Sequence, residues 1–308
     1  MLDQIRGLHH VTALTADAVR NNAFFTKALG LRRVKKTVNF DAPDVYHLYY
    51  GDETGTPGTV MTYFPFPGIR AGRPGAGEVG TTAFAIPAGT RDAWAARLAG
   101  LGISGLAREE SFGEKRLHVQ GPDGDSLALV EVDADARAPW TGVVGADLAI
   151  RGFHSVAMRL RDTGATAELL TFMGYEKLAE ERGVARFALP GGAGAHIVDL
   201  EAVPDANRAV EGGGSVHHVA FAVENRARQL EVRKALTETG HHVTPVIDRD
   251  YFWAIYFRTP GGVLFEIATN EPGFTRDEPV THLGEALKLP RQHEHLRPAL
   301  EQQLAPLA

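Results

Sequence analysis

LHHVTAL, residues 8–14, returns near the other end of the chain as VHHVAFAV, residues 216–223. Fainter copies, GTTAFAI (80–86) and FHSVAMRL (153–160), lie between them. Each copy reads as a strand. An Ala- and charge-rich stretch follows every time: NNAFFTKALGL, RDAWAARLAGLGI, TGATAELLTFMGY and ARQLEVRKALTETG. Each suits a helix, with glycine near its end as a C-terminal cap. Shorter strand-like runs come next (VYHLYYG, RLHVQG, ARFALPG, FWAIYFR), and in three of the four units a turn at Pro122–Gly124, Pro190–Gly192 or Pro260–Gly262 precedes a closing strand. The unit is strand, helix and about three strands. It repeats four times, near residues 1–66, 78–133, 150–201 and 214–270. The expected class is therefore α+β, built from four βαβββ modules in two domains. Residues 1–133 form an N-terminal pair of modules, 134–149 a Pro- and Gly-bearing linker, 150–275 a C-terminal pair, and 276–308 a partly helical tail.

Composition narrows the chemistry. The 308 residues include no cysteine, which removes thiolate nucleophiles, disulfides and sulfur-based metal sites. Any metal must sit on nitrogen and oxygen. A net charge of -6 without a run of Lys or Arg offers no footprint for nucleic acid. No apolar run approaches the roughly 20 residues that a membrane-spanning helix needs, and MLDQIRGLHH has no leader-like apolar stretch, so a cytosolic protein with a small-molecule partner is expected. Phosphate-binding glycine loops ending in Lys-Ser or Lys-Thr, His-Glu-x-x-His helices and Gly-x-Ser-x-Gly elbows are all absent. Thirteen histidines remain as the richest source of chemistry.

The fourfold unit resembles the vicinal oxygen chelate superfamily, which includes glyoxalase I, bleomycin-resistance proteins and extradiol ring-cleaving dioxygenases. The resemblance covers nearly the whole chain. It implies that modules pair into curved mixed β-sheets with helices outside, and that the concave face holds a divalent metal on first and last strands of modules. Aligned without gaps on HHVAFAV, His217 and His218 match His9 and His10, Gly80 and Thr81, and His154 and Ser155. Only modules one and four offer imidazole at the second position. In the closing strands, TPGGVLFEIAT supplies Glu266, where module two has Ala128, module one Thr62 or Tyr63, and module three an irregular stretch with His196 nearby. A lone histidine at a strand start is more often a hydrogen-bonded structural residue than a ligand. Three matched positions, His10, His218 and Glu266, outweigh that. Alternation puts His218 on a face with Ala220 and Ala222, opposite Val219, Phe221 and Val223. By the same parity His9 and His217 point away from the metal. His154 is read as structural, and His241, His242, His293 and His295 as solvated.

Two imidazoles and one carboxylate form the facial set that binds Fe(II) and leaves adjacent positions open; Mn(II) uses similar ligands. Glyoxalase I-type isomerases close the octahedron with four protein ligands, so three favour a site shared by substrate and O2. The stretch DRDYFWAIYFRTPGGVLFEIAT (248–269) is similar to the hydroquinone-type dioxygenases, in which the first and fourth modules supply the ligands. That resemblance implies an Fe(II)-dependent, extradiol-type ring-cleaving dioxygenase acting on hydroquinone-like diols. It also implies second-sphere roles for Tyr256 and Arg249, and for His9, Thr12 and His217. The alternatives are a glyoxalase-class isomerase or lyase and a non-catalytic binding protein. The tail, with LGEALKLP and LRPALEQQLAPL, is expected either to cover a sheet edge or to serve a homo-oligomer contact.

Overall fold

The computed structural model describes residues 1–192 and 194–307. Module one holds β1 (Ile5–Thr15), α1 (Ala18–Ala23), β2 (Arg32–Asn39), β3 (Ala42–Gly51) and β4 (Val60–Pro65). Module two holds β5 (Glu78–Pro87), α2 (Arg91–Gly100), β6 (Ala107–Ser111), β7 (Glu114–Gln120) and β8 (Ser126–Val132). Module three holds β9 (Gly152–Leu160), α3 (Gly164–Phe172), β10 (Glu176–Glu181), β11 (Val184–Ala188) and β12 (Ile197–Ala202). Module four holds β13 (Val216–Val223), α4 (Arg226–Glu238), β14 (Ile247–Asp248), β15 (Phe252–Arg258) and β16 (Leu264–Pro272). Two of the helices begin where a side chain accepts unpaired backbone N–H groups. Asp17 caps α1 through Val19 and Arg20, and Asn225 caps α4 through Arg228.

Two curved, mixed eight-stranded sheets result, with orders β14-β15-β16-β13-β1-β4-β3-β2 and β10-β11-β12-β9-β5-β8-β7-β6. Modules one and four therefore share one sheet and modules two and three the other. This corrects the expected grouping by chain halves, 1–133 and 150–275. Residues 134–149 join two modules of the same sheet. The crossings between sheets lie near 67–77 and 203–215, where the two connectors run side by side through bridges such as Ala71↔Gly213 and Arg73↔Val210. Central strands explain the pairing: β1 and β13 are antiparallel neighbours, each flanked on its other side by its own module's parallel closing strand, β4 or β16. One large apolar cluster draws members from all four modules, among them Phe25, Trp94, Phe153 and Phe221.

The tail covers an edge. Leu287 bridges Lys36 on edge strand β2, Lys288 N–H donates to the Lys36 carbonyl, and Leu300, within α5 (Arg297–Gln303), and Leu304, just beyond it, are buried. His293, expected to be solvated, instead reaches the Phe40 carbonyl through Nε2 at 2.9 Å.

Candidate metal centre

The register of β1 against β13 slips three times, and two of the slips fall at the histidine pairs. Leu8 faces Phe221 and His10 faces Ala220, so His9 is an extra residue on β1; Thr12 faces His218 and Ala13 faces Val216, so His217 is an extra residue on β13. The second sheet repeats the pattern, with Gly80 extra on β5 and His154 extra on β9. All four first strands thus carry a bulge at one equivalent position. A bulge re-aims the side chains that follow it, and those residues are His10, Thr81, Ser155 and His218.

In the first sheet the result is convergence. His10 Nε2 and His218 Nε2 lie 3.2 Å apart, and Glu266 Oε2 lies 3.4 Å from the first and 2.9 Å from the second. An ion about 2.1 Å from each donor sets neighbouring corners of an octahedron about 3 Å apart, so the three atoms fit one face around a single cation. Glu266 is fully buried, and neither of its oxygens accepts a well-formed hydrogen bond among the described residues. A buried carboxylate without donors is costly unless a cation meets it. Burial lowers the His218 pKa to about 4, although Glu266 pulls the other way. Its imidazole is therefore neutral near pH 7, with a lone pair to donate. Burial raises the Glu266 pKa, but the two facing imidazoles outweigh it and hold the acid well below the ordinary carboxylate range. Among the described residues these are the one group of three such donors within reach of one another.

The pseudo-twofold relation between modules one and four accounts for the count of three. Ala220 faces Glu266 across β13 and β16, and Thr12 faces Thr62 across β1 and β4. Each lies two residues past its ligand histidine, so Thr62, not Tyr63, stands where a fourth ligand would be. In the second sheet the same register puts Ala128 opposite Ala83 and Asp199 opposite Ala157. Asp199, rather than His196, is thus module three's counterpart of Glu266. Its carboxylate is taken by Arg186, at 2.8 and 2.9 Å.

The donors open into a cavity of about 410 Å3, within the ~300–1,000 Å3 typical of small-molecule pockets. Phe64, Phe66, Phe252, Leu14 and Leu264 supply its apolar walls. Tyr256 lines it beside the donors: its ring centroid is 5.7 Å from that of His218, and it faces Glu266 across β15 and β16. Burial, then Glu266, push the Tyr256 phenol well above its usual pKa, so it stays protonated. Arg249 Nε donates to the Tyr256 hydroxyl at 3.3 Å, and its Nη1 reaches Asp41 at 3.1 Å. Thr12 lies deeper, accepting from Thr62 at 3.0 Å.

The bulges overturn the expectation for His217 and bring His9, still outside the cavity, against His10. His9 is buried outside the cavity, but its Nδ1 meets His10 Nδ1 at 2.9 Å while its Nε2 meets the Thr269 carbonyl at 3.1 Å. His217 Nδ1 meets His218 Nδ1 at 2.7 Å, and His217 lines the cavity, where strict alternation had turned it away. Two lining residues, His47 and Tyr49, went unread in the sequence, although alternation in VYHLYYG sets them on one face, opposite Tyr46, Leu48 and Tyr50.

The sequence model of the Glyoxalase/Bleomycin resistance protein/Dioxygenase superfamily matches residues 152–267. A Bacillus subtilis (strain 168) protein provisionally named ring-cleaving dioxygenase MhqO is 41% identical over 308 residues, covering 99% of this chain and 98% of its own. The chlorohydroquinone/hydroquinone 1,2-dioxygenase of Sphingobium indicum is 35% identical over 315 residues, covering 97% of this chain and 95% of its own. A crystal structure of a provisionally assigned Bacillus subtilis dioxygenase superposes with a TM-score of 0.95 at 40% identity, over 99% of this chain and 98% of that one.

Proposed function

This chain belongs to the glyoxalase/bleomycin resistance protein/dioxygenase superfamily, and from that premise we propose that it is a ring-cleaving dioxygenase of hydroquinone-like diols. The observation that carries the reading is the donor face of His10, His218 and Glu266, buried at the floor of an aromatic-walled cavity with threonine at the fourth-ligand place. Fe(II) on those donors, or Mn(II) in its stead, supplies the redox chemistry that O2 requires and that Zn(II) lacks.

The remaining work falls to the chain. One carboxylate against a divalent charge leaves about +1, which favours a phenolate over a neutral phenol. Tyr256, protonated and beside the donors, offers its hydroxyl hydrogen to an oxygen in the cavity. The Arg249 guanidinium orients that hydroxyl and stabilises negative charge that develops on the ring or on the product acid. Phe64, Phe66 and Phe252 hold the ring and exclude water. Both atoms of O2 enter one product, so no external reductant is consumed.

The test is oxygen uptake by the iron-loaded protein with hydroquinone and with catechol, alongside Glu266→Ala. We expect iron-dependent uptake with hydroquinone. The variant should fall to background in both uptake and bound iron. Full activity in the variant would refute the assignment. Turnover without oxygen uptake would favour a glyoxalase-class isomerase.

A further inference from the structure

Beside the donor face, on module one's side of the same cavity, stands a second polar group built from residues that the metal does not use. Tyr49 faces Thr62 across β3 and β4 as Tyr256 faces Glu266 across β15 and β16, so the two phenols are mates under the pseudo-twofold. Their partners differ. The Tyr49 hydroxyl lies 2.7 Å from His47 Nδ1, His47 Nε2 lies 2.7 Å from Thr62 Oγ1, and Thr62 donates to Thr12 at 3.0 Å. Because Thr62 donates its only proton to Thr12, it accepts from His47 Nε2–H. His47 is then left with a lone pair on Nδ1, and Tyr49 must donate to it. His47 is buried, which holds its pKa well below the ordinary value and keeps the ring in this neutral, one-donor form. The Tyr49 oxygen receives no donor among the described residues, and Tyr49 and His47 both line the cavity.

We propose that Tyr49, oriented by His47, is the recognition group for the second hydroxyl of the substrate, accepting its hydrogen bond while the first hydroxyl sits at the donor face. The inference rests on the dioxygenase reading and deepens it. A hydroxyl whose own proton is committed presents only lone pairs, so it accepts from an O–H and repels an ether or carbonyl oxygen. The cavity is symmetric in backbone and asymmetric in chemistry: the cation place spans the pseudo-twofold through His10 and His218, with the carboxylate of Glu266 on module four's side and Thr62, backed by a neutral acceptor, on module one's. A hydroxyl at the far end of the ring from the first is the one left free to meet Tyr49. Two adjacent hydroxyls would both lie at the donor face and leave Tyr49 unmet.

Calorimetric titration of the Fe(II)-loaded full chain without O2, using hydroquinone, phenol and 4-methoxyphenol, reads binding in the absence of turnover. The wild type should bind hydroquinone about tenfold more tightly than the other two, the size of one buried hydrogen bond with its desolvation. Tyr49→Phe should reduce that ratio to about twofold or less. His47→Leu releases the Tyr49 proton, so 4-methoxyphenol should gain on hydroquinone, a reversal that a merely structural histidine does not produce. Near-UV circular dichroism identifies a variant that fails to fold, and the wild-type ratio decides by itself whether the acceptor exists. Equal wild-type affinities for hydroquinone and its methyl ether, or an unchanged ratio in the folded variants, would overturn the inference and leave the oxygen-uptake result standing. Failure of all three phenols to bind the wild type would overturn the dioxygenase reading along with it.

Discussion

His9 is one residue too many in its strand, and that surplus is what sets it behind a ligand. With its Nε2–H committed to the Thr269 carbonyl, His9 Nδ1 accepts from His10 Nδ1–H, which leaves His10 Nε2 as the lone pair facing Glu266. Supports of this kind typically contribute 10–100-fold in metal affinity. His9→Ala should therefore weaken Fe(II) binding by about that factor, read by competition with a chelator, while Glu266→Ala removes binding outright. Buried His9 and His218 also bear on acid stability. Burial lowers the pKa of His9 to about 3 and of His218 to about 4, from 6.5. The unfolded chain takes up these protons first, so the metal-free protein should lose stability as pH falls from about 6.5 towards 4. The slope is at most about 1.4 kcal/mol per pH unit for each histidine. Urea denaturation at a series of pH values measures it, and a flat profile across that window would contradict the neutral, buried state of both rings.

At the scale of elements, edge strand β2 depends on the tail for its closure. Lys35 is fully buried, with Nζ 2.6 Å from Asp277 and 2.5 Å from Glu278, and it lies over the Tyr251 ring. Removing one partner of a buried ion pair leaves the other charged and unpaired, which costs roughly 3–5 kcal/mol. Lys35→Met should destabilise the chain by about that much in urea denaturation. Lys35→Met combined with Glu278→Gln should recover part of the loss, because the Glu278 charge is then gone. The tail also touches the mouth of the cavity: His293 holds the Phe40 carbonyl, and the neighbouring Asp41 holds Arg249. Sheet-edge protection and cavity wall thus share one segment.

In the whole molecule, four copies of one module yield one group of donors that could hold a metal. The second sheet has the same strands, bulges and register, but Thr81 and Ser155 stand where His10 and His218 stand, and Ala128 leaves one carboxylate place blank. The carboxylate that remains, Asp199, meets the Arg186 guanidinium, which also binds Glu114 at 2.9 Å and lies 4.0 Å over the Phe112 ring. An organic cation occupies the charge position that corresponds to the proposed metal place in the other sheet. Metal analysis of the loaded protein should accordingly find one ion per chain. A second ion would show that the second sheet retains a site.

The repeat, the expected strands and the three donors were legible in LHHVTAL, VHHVAFAV and TPGGVLFEIAT because period-two alternation and a matched turn are local properties that any chain writes into its order of residues. Helix, turn and closing strand could be placed for the same reason. The pairing of modules one and four could not, since it depends on which strands neighbour one another across the fold, and consecutive modules are the natural guess. Nor could the contact of His9 with His10 or the turn of His217 into the cavity, because a bulge is defined by the register against a partner strand and breaks the parity that sequence alone assigns. His47, Tyr49 and Asp199 took their places for the same reason: each is an ordinary strand residue until a tertiary neighbour, Thr62, the cavity or Arg186, determines which of its hydrogen bonds is already made.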